Sequence, residues 1–111
     1  MHPKFEIELL EEAFEFLSKI DLKARKKVFK NLNRAKYQTD PKFFKKLEGE
    51  IWEFRTLYAG VQYRLLAFWD KSDNKNTWVL ATHGFIKKTS KVDKKEINRA
   101  ESIRQLFFKN K

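Results

Sequence analysis

The fold of this chain is decided by residues 51–70, IWEFRTLYAGVQYRLLAFWD, which are rich in aromatic and branched side chains. Such side chains favour β-strands, and Ala59-Gly60 in the middle of the stretch is typical of a tight hairpin turn. If these two residues form the turn, Arg55 lies directly opposite Arg64 on the neighbouring strand. The sequence therefore predicts a β-hairpin with two arginines side by side, whereas a slip of one residue would separate them onto opposite faces.

The two faces of the predicted hairpin differ in character, because successive side chains of a strand alternate between faces. The face expected to pack on helices is almost continuously apolar and carries Trp52, Phe54, Thr56, Tyr58, Val61, Tyr63, Leu65, Ala67 and Trp69. The other face is mixed and carries Ile51, Glu53, Arg55, Leu57, Gln62, Arg64, Leu66 and Phe68. Like charges directly opposite each other destabilise a sheet, so the arginine pair calls for an anion or an internal partner. Phosphate suits the planar, bidentate donors of arginine, and Glu53 is the internal alternative.

Patterns before the hairpin predict a strand and two helices. Phe5–Leu9 alternates as a short strand, and apolar residues at helical spacing then predict an antiparallel pair of helices over residues 10–20 and 21–36. Thr39-Asp40-Pro41 ends the second helix, because the residue before proline avoids the helical conformation. The apolar residues expected to anchor the following connection on the core are Phe43, Phe44 and Leu47.

After the hairpin, Thr77–Ile86 is predicted to form another strand, which leads into the segment His83–Lys91 with its three lysines. A short segment rich in Lys, Thr and Ser is usually only a loop, and a strand histidine is more often packed than catalytic. His83 is nevertheless the one residue of this segment whose ordinary pKa lies near neutrality. Asp93 and Glu96 then stand at capping-box spacing and begin an amphipathic helix, which completes the order β-α-α-β-β-β-α.

The formal net charge of +10 over 111 residues is concentrated in residues 19–46 and 85–111. A basic block favours a polyanion through phosphate contacts, but it can equally be a solvated helix face. The chain has no cysteine, which excludes disulfides, thiolate metal sites and cysteine nucleophiles. No apolar run has the form of a signal peptide or a transmembrane helix, so we expect one soluble domain over residues 1–111 that works in the cytoplasm.

The ordered set Trp52-Glu53-Phe54-Arg55, Tyr63-Arg64 and His83–Thr89, followed by a closing helix, resembles the HigB-like branch of the RelE/ParE toxin superfamily, also described as phage-derived, host-killing proteins. The resemblance covers nearly the whole chain with matching spacings. It implies an α+β fold in which a small curved antiparallel sheet is flanked by an N-terminal helical hairpin and a C-terminal helix.

The resemblance also implies a function, that of the toxin in a type II toxin–antitoxin pair. RelE-type members are endoribonucleases that cut messenger RNA in the ribosomal A site, without a metal or another cofactor. The implied partners are the ribosome, messenger RNA and a cognate antitoxin, commonly a helix-turn-helix DNA-binding protein, and no membrane. The residues expected in catalysis are Arg55, Arg64, Lys87, Lys88 and His83, and those expected to bind RNA are Lys26, Lys27, Lys30, Arg34 and Lys91.

In such a cleavage the 2′-OH attacks its own phosphate, which needs a base, an acid and cations that stabilise the developing charge. The two arginines would clamp the phosphate, Lys87 or Lys88 would add charge or supply the acid, and His83 is the candidate base if it faces the cleft. The tail runs Leu106-Phe107-Phe108 where some relatives contribute a tyrosine, which leaves the acid–base assignment open.

Two other functions remain compatible with this sequence. A ParE-like protein shares the fold but inhibits DNA gyrase by binding it. A phage accessory protein could bind RNA or a host factor without cleaving anything.

Overall fold

Residues 2–111 are described by the computed structural model, and they form an α+β fold, as the sequence predicts, with five strands in the sheet where the sequence predicted four. The elements are β1 (Glu6–Leu9), α1 (Glu11–Lys19), α2 (Leu22–Tyr37), β2 (Phe44–Glu48), β3 (Ile51–Tyr58), β4 (Val61–Asp70), β5 (Trp78–Lys87) and α3 (Lys94–Lys109). The strands lie in the order β1-β5-β4-β3-β2. The expectation of an antiparallel sheet holds for β2 to β5, whereas β1 pairs in parallel with β5.

The strand β2 corrects the expectation that Phe43, Phe44 and Leu47 belong to a connection without a strand of its own. Phe44 pairs with Phe54 across the sheet, and its ring stacks on Phe54 and Trp52 with centroid separations of 4.3 Å and 4.8 Å. The outer edge of β3 has backbone N–H and C=O groups that need hydrogen-bond partners, and residues 44–48 pair with part of this edge. Five residues interrupted by a register shift leave little alternation to detect in the sequence.

Helices α1 and α2 cover the apolar face of the β3–β4 hairpin, as predicted. Side chains of both helices, including Ala13, Leu17 and Val28, share one buried cluster with Phe54 and Leu65 of the hairpin. Helix α3 covers the opposite face only in part, and its Ala100 shares a buried cluster with the sheet residues Ile51, Leu66, Phe68 and Leu80. The mixed face therefore has an apolar half under α3 and a charged half that α3 leaves uncovered.

Asp93 caps the N-terminus of helix α3, and its carboxylate accepts a hydrogen bond from the backbone N–H of Lys95. The predicted capping box is only half formed, because the Glu96 carboxylate contacts the His83 ring instead. Exposed ion pairs join α3 to other elements, Lys94 with Glu48 and Arg99 with Glu12, and such surface pairs add little to stability. Across residues 2–111, none of the helices combines the length and the apolar character needed to cross a membrane.

Gly84 in β5 lies close beneath the Phe16 ring of α1. A Cβ atom built on Gly84 would lie 2.3 Å from Cδ2 of Phe16 and 2.7 Å from Cδ2 of Leu65. Ordinary contacts between carbon atoms are about 3.5–4.0 Å, so any side chain at this position overlaps the ring. The absence of a side chain at residue 84 thus sets the distance between α1 and the sheet.

We expect Gly84→Ala to lower the free energy of unfolding by about 1–3 kcal/mol, because the added methyl overpacks the α1 interface. Urea unfolding measures the change. Phe16→Leu removes the ring that the methyl would strike, so the double variant Gly84→Ala/Phe16→Leu should lose less stability than the two single changes added together. Additive losses would show that the Phe16 contact does not limit this position.

Candidate nucleic-acid interface

The predicted register of the hairpin is confirmed. Ala59 and Gly60 form the turn with φ angles of 50° and 77°, and Arg55 is paired with Arg64. The two arginines therefore lie side by side on the charged half of the mixed face. Arg64 is buried, and the side chain of Arg55 remains 31% exposed.

Glu53 lies between the two arginines and contacts both. Its Oε2 is 3.1 Å from Nε of Arg64, and its Oε1 is 3.5 Å from Nε of Arg55. The internal alternative foreseen from the sequence is thus present, with one buried carboxylate set against two guanidinium groups. The three side chains together keep one positive charge, so internal pairing does not neutralise the arginine pair completely.

Each arginine also has a hydrogen bond to the backbone that fixes its direction. Nη1 of Arg55 donates to the carbonyl of Pro41 at 3.2 Å, and Nη1 of Arg64 donates to the carbonyl of Tyr63 at 3.4 Å. A guanidinium has five N–H donors, so most donors of the exposed Arg55 remain available to a ligand. A group held in this way can meet a phosphate oxygen with little rearrangement.

Lys87 joins the arginine pair from the neighbouring strand β5, where it is paired with Gln62. Burial lowers the pKa of the Lys87 ammonium, the charges of Arg64 and Arg55 lower it further, and Glu53 acts in the opposite direction. Burial also lowers the pKa of Arg64, which Glu53 opposes. Lys45, paired with Glu53 on the β2 side, completes the set. We call Lys45, Arg55, Arg64 and Lys87, arranged around Glu53, the cationic cluster.

His83 lies apart from the cationic cluster, beneath α3. Its Nδ1 is 3.0 Å from the Thr82 hydroxyl and its Nε2 is 3.0 Å from Oε1 of Glu96, and the residue is buried. Burial lowers the pKa of His83, and the hydrogen bond and charge of Glu96 oppose that shift. The structure therefore engages both ring nitrogens inside the protein and does not bring His83 to the arginine pair.

The remaining lysines that the sequence singled out are distributed over the surface. Lys88 follows the end of β5, and it is exposed, as are Lys26, Lys30 and Lys91. Lys27 and Arg34 of α2 instead line a cavity of about 430 Å³ beside the arginine pair. Of the five predicted RNA-binding residues, the structure thus brings two to the immediate neighbourhood of the cluster.

This cavity, which we call the α2–β3 cavity, opens where β2 leaves the sheet. The residues that line it are Lys27, Asn31, Arg34, Lys42, Phe43, Arg55, Thr56, Leu57, Gln62 and Arg64. The sequence interpretation passed over Asn31, Lys42 and Lys45. Asn31 had a detectable signal, because it is a polar residue on the stripe of buried α2 positions that also includes Val28 and Ala35.

The arrangement defines a small α+β protein with a cationic, partly desolvated site on one face of its sheet. Among residues 2–111, no three His, Asp or Glu side chains converge as a metal site would require. The family model "Phage derived protein Gp49-like (DUF891)" matches residues 15–105, and the chain belongs to this family. A comparison with curated proteins found no match.

We expect Glu53→Gln to lower the free energy of unfolding by about 3–5 kcal/mol, because it leaves the buried Arg64 without its counter-charge. Urea unfolding, with the exposed neighbour variant Glu50→Gln as control, measures the loss. Added phosphate should stabilise Glu53→Gln more than the wild-type protein, since two facing guanidinium groups then compete for one external anion. Equal stability of both variants would contradict the charge balance described here.

The lowered pKa of His83 predicts a pH dependence of stability with a definite sign. Below the ordinary pKa of 6.5 the unfolded chain binds a proton that the folded chain does not, so folding loses stability as the pH falls from 6.5 toward the lower folded pKa. Unfolding free energies measured from pH 7.5 to pH 5 should therefore fall more steeply for the wild-type protein than for His83→Gln. Parallel curves would mean that His83 titrates normally in the folded protein.

Proposed function

We propose that the chain is the toxin of a type II toxin–antitoxin system of the RelE/HigB kind, which inhibits translation by cutting messenger RNA in the ribosomal A site. The observation that carries the proposal is the cationic cluster, in which two facing arginines and Lys87 lie on the half of the sheet that α3 leaves open. Membership of the phage-derived Gp49-like family and the resemblance of the ordered motifs support it.

The chemistry proposed for the cluster is stabilisation of charge on a scissile phosphate. As the 2′-OH attacks, negative charge builds on the phosphate oxygens, and Arg55 is exposed enough to meet it. Arg64 is buried against Glu53. It acts mainly by holding the Glu53 carboxylate in place and by adding positive electrostatic potential at the site. Preorganised cations of this kind are worth most where water is partly excluded, as it is beside Glu53.

Lys87 is the proposed proton donor for the leaving 5′ oxygen. A lysine whose pKa is lowered by burial and by neighbouring arginines gives up its proton more readily than an exposed lysine does. His83 has no part in this mechanism, since Thr82 and Glu96 engage its ring away from the cluster. In this proposal the general base that accepts the 2′-OH proton is a group of the ribosome or of the RNA itself.

The exposed lysines supply the proposed contacts with ribosomal RNA. Lys26 and Lys30 on α2 and Lys88 and Lys91 beyond β5 are free to approach phosphates without disturbing the core. In the proposed system the partners are the ribosome, messenger RNA and a cognate antitoxin, which we expect to be a helix-turn-helix DNA-binding protein encoded beside the toxin.

A second candidate is a phage protein that binds RNA without cutting it. The engagement of His83 under α3 and the partial neutralisation of the arginines by Glu53 favour this alternative. It shares the cationic cluster with the first candidate and differs from it only in the chemistry after binding. Mapping of messenger ends separates the two.

We expect induction of the protein in a bacterial host to produce new messenger 5′ ends within translated frames, and Arg55→Ala to reduce them by about 10²–10³-fold through loss of a charge-stabilising group. Arg55 is chosen because its partly exposed side chain can be removed with less damage to the fold than the buried Arg64. Arg99→Ala, which removes an exposed arginine from α3, is the matched control and should cut as the wild type does.

Either of two other outcomes would overturn the nuclease proposal. Growth arrest with intact messengers and a DNA damage response would indicate a ParE-like gyrase inhibitor. RNA bound by the wild type, released by Arg55→Ala and never cut would establish the binding protein. Undiminished cutting by Arg55→Ala would remove this arginine from the site.

A further inference from the structure

We propose that the α2–β3 cavity holds one nucleotide of a single-stranded RNA, with its phosphate at the arginine side and its base against the Asn31 amide, and that Asn31 favours bases that carry an amino group. This inference deepens the proposed function and rests on it for the identity of the ligand as RNA. It makes Asn31 a specificity-determining residue that touches the base next to the cationic cluster.

The cavity exists because two strands of the sheet have different lengths. Strand β2 is paired with β3 only as far as Phe54, and the backbone N–H of Arg55 donates to the carbonyl of Phe43 as the last contact on this edge. Strand β3 continues to Tyr58 without β2 beside it. Helix α2 closes one side of the gap. The resulting volume of about 430 Å³ falls in the range of about 300–1,000 Å³ that is usual for small-molecule sites.

The charge of the cavity calls for an anion. None of the residues that line the cavity is acidic, and five are cationic: Lys27, Arg34, Lys42, Arg55 and Arg64. Glu53 compensates one of these charges from beneath the arginine pair. A concave surface with several cations and low-dielectric walls concentrates anions, and a phosphate diester satisfies several cations at once.

Asn31 gives the cavity a buried hydrogen-bonding atom without a partner, in addition to the Nε atoms of Arg55 and Arg64, which face the Glu53 carboxylate. The residue is 4% exposed, its Nδ2 donates to the Thr56 hydroxyl at 3.0 Å, and its Oδ1 has no hydrogen-bond partner within residues 2–111. Were the amide turned over, the NH₂ group would lack a partner instead, so in either orientation one polar atom of Asn31 has no hydrogen bond within residues 2–111. As placed, that atom is an acceptor, and the complementary group is an amino or ring N–H donor.

Flat and apolar groups line the same cavity. The Arg34 guanidinium lies over the Phe43 ring at 5.4 Å from its centroid, and Leu57 remains 57% exposed beside them. Single-stranded RNA is recognised by stacking of bases on aromatic rings or guanidinium planes, together with hydrogen bonds to the base edges. Cations for the phosphate, planar groups for the base and one acceptor for its edge therefore meet in the same cavity. Acidic side chains of a peptide would use the cations, but an ionised carboxylate has no ring to stack and no donor for the Asn31 acceptor.

The decisive probes are two short oligonucleotides with 2′-O-methyl riboses, which cannot be cut because the attacking hydroxyl is blocked. One carries adenine, and the other carries purine riboside, which lacks only the amino group of adenine. We expect the wild-type protein to bind the adenine probe about 3- to 10-fold more tightly, the ratio that one net hydrogen bond supports. Fluorescence anisotropy at fixed salt measures both dissociation constants.

The variant that tests Asn31 is Asn31→Leu/Thr56→Val, because replacing both partners of the buried hydrogen bond leaves neither side chain unsatisfied. This variant should bind the two probes equally. Asn33→Leu changes an exposed asparagine two residues further along α2, and it should keep the wild-type preference. A thermal unfolding curve for each protein tests whether the variants are folded as the wild-type protein is.

Equal binding of both probes by the wild type, or a preference that survives in Asn31→Leu/Thr56→Val, would overturn the inference. Competition by inorganic phosphate alone, with no gain from any base, would also overturn it and leave an anion site only. An adenine preference that depends on Asn31, in a protein that cuts no messenger, would uphold the base site and defeat the nuclease proposal separately.

Discussion

The contact on which this structure depends is the buried carboxylate of Glu53 between two facing arginines. Antiparallel pairing of β3 and β4 places Arg55 and Arg64 side by side, a juxtaposition that repels unless something negative stands near it. Glu53 supplies that charge from the same face, at 3.1 Å and 3.5 Å. The hairpin can therefore fold with its arginines together, and one net positive charge remains for a ligand.

Short-range rules account for the parts of the fold that were predictable from the sequence. The Ala59-Gly60 turn fixed the register of the hairpin within a few residues, and Asp21 caps α2 through the backbone N–H groups of Lys23 and Ala24. Strand β2 and the parallel pairing of β1 were not foreseen, because both depend on partners distant in the chain. The sequence pattern of a strand of four or five residues is too short to predict which other strand it pairs with.

The candidate site shows the same division. The hairpin register made Arg55 and Arg64 a predictable pair, whereas the position of His83 depends on how α3 docks. Glu96 stands at the position of a capping box, and local rules assign it to the helix terminus, yet its carboxylate contacts His83. The α2–β3 cavity could not be predicted from the sequence for another reason. It is the gap beside the end of β2, and β2 itself was not predicted.

Stability alone does not explain a charged group in this position. A buried ion pair gains little over well-packed apolar residues, because desolvation consumes most of the Coulombic attraction. The same face shows the apolar solution a few residues away, where Ile51, Leu66 and Phe68 pack beneath α3. Within residues 2–111 no helix covers the charged half, and its cations border a cavity lined by Asn31, whose amide oxygen has no hydrogen-bond partner. The uncovered half of the sheet therefore carries positive charge that the fold does not need, which supports the proposal that it receives a phosphate.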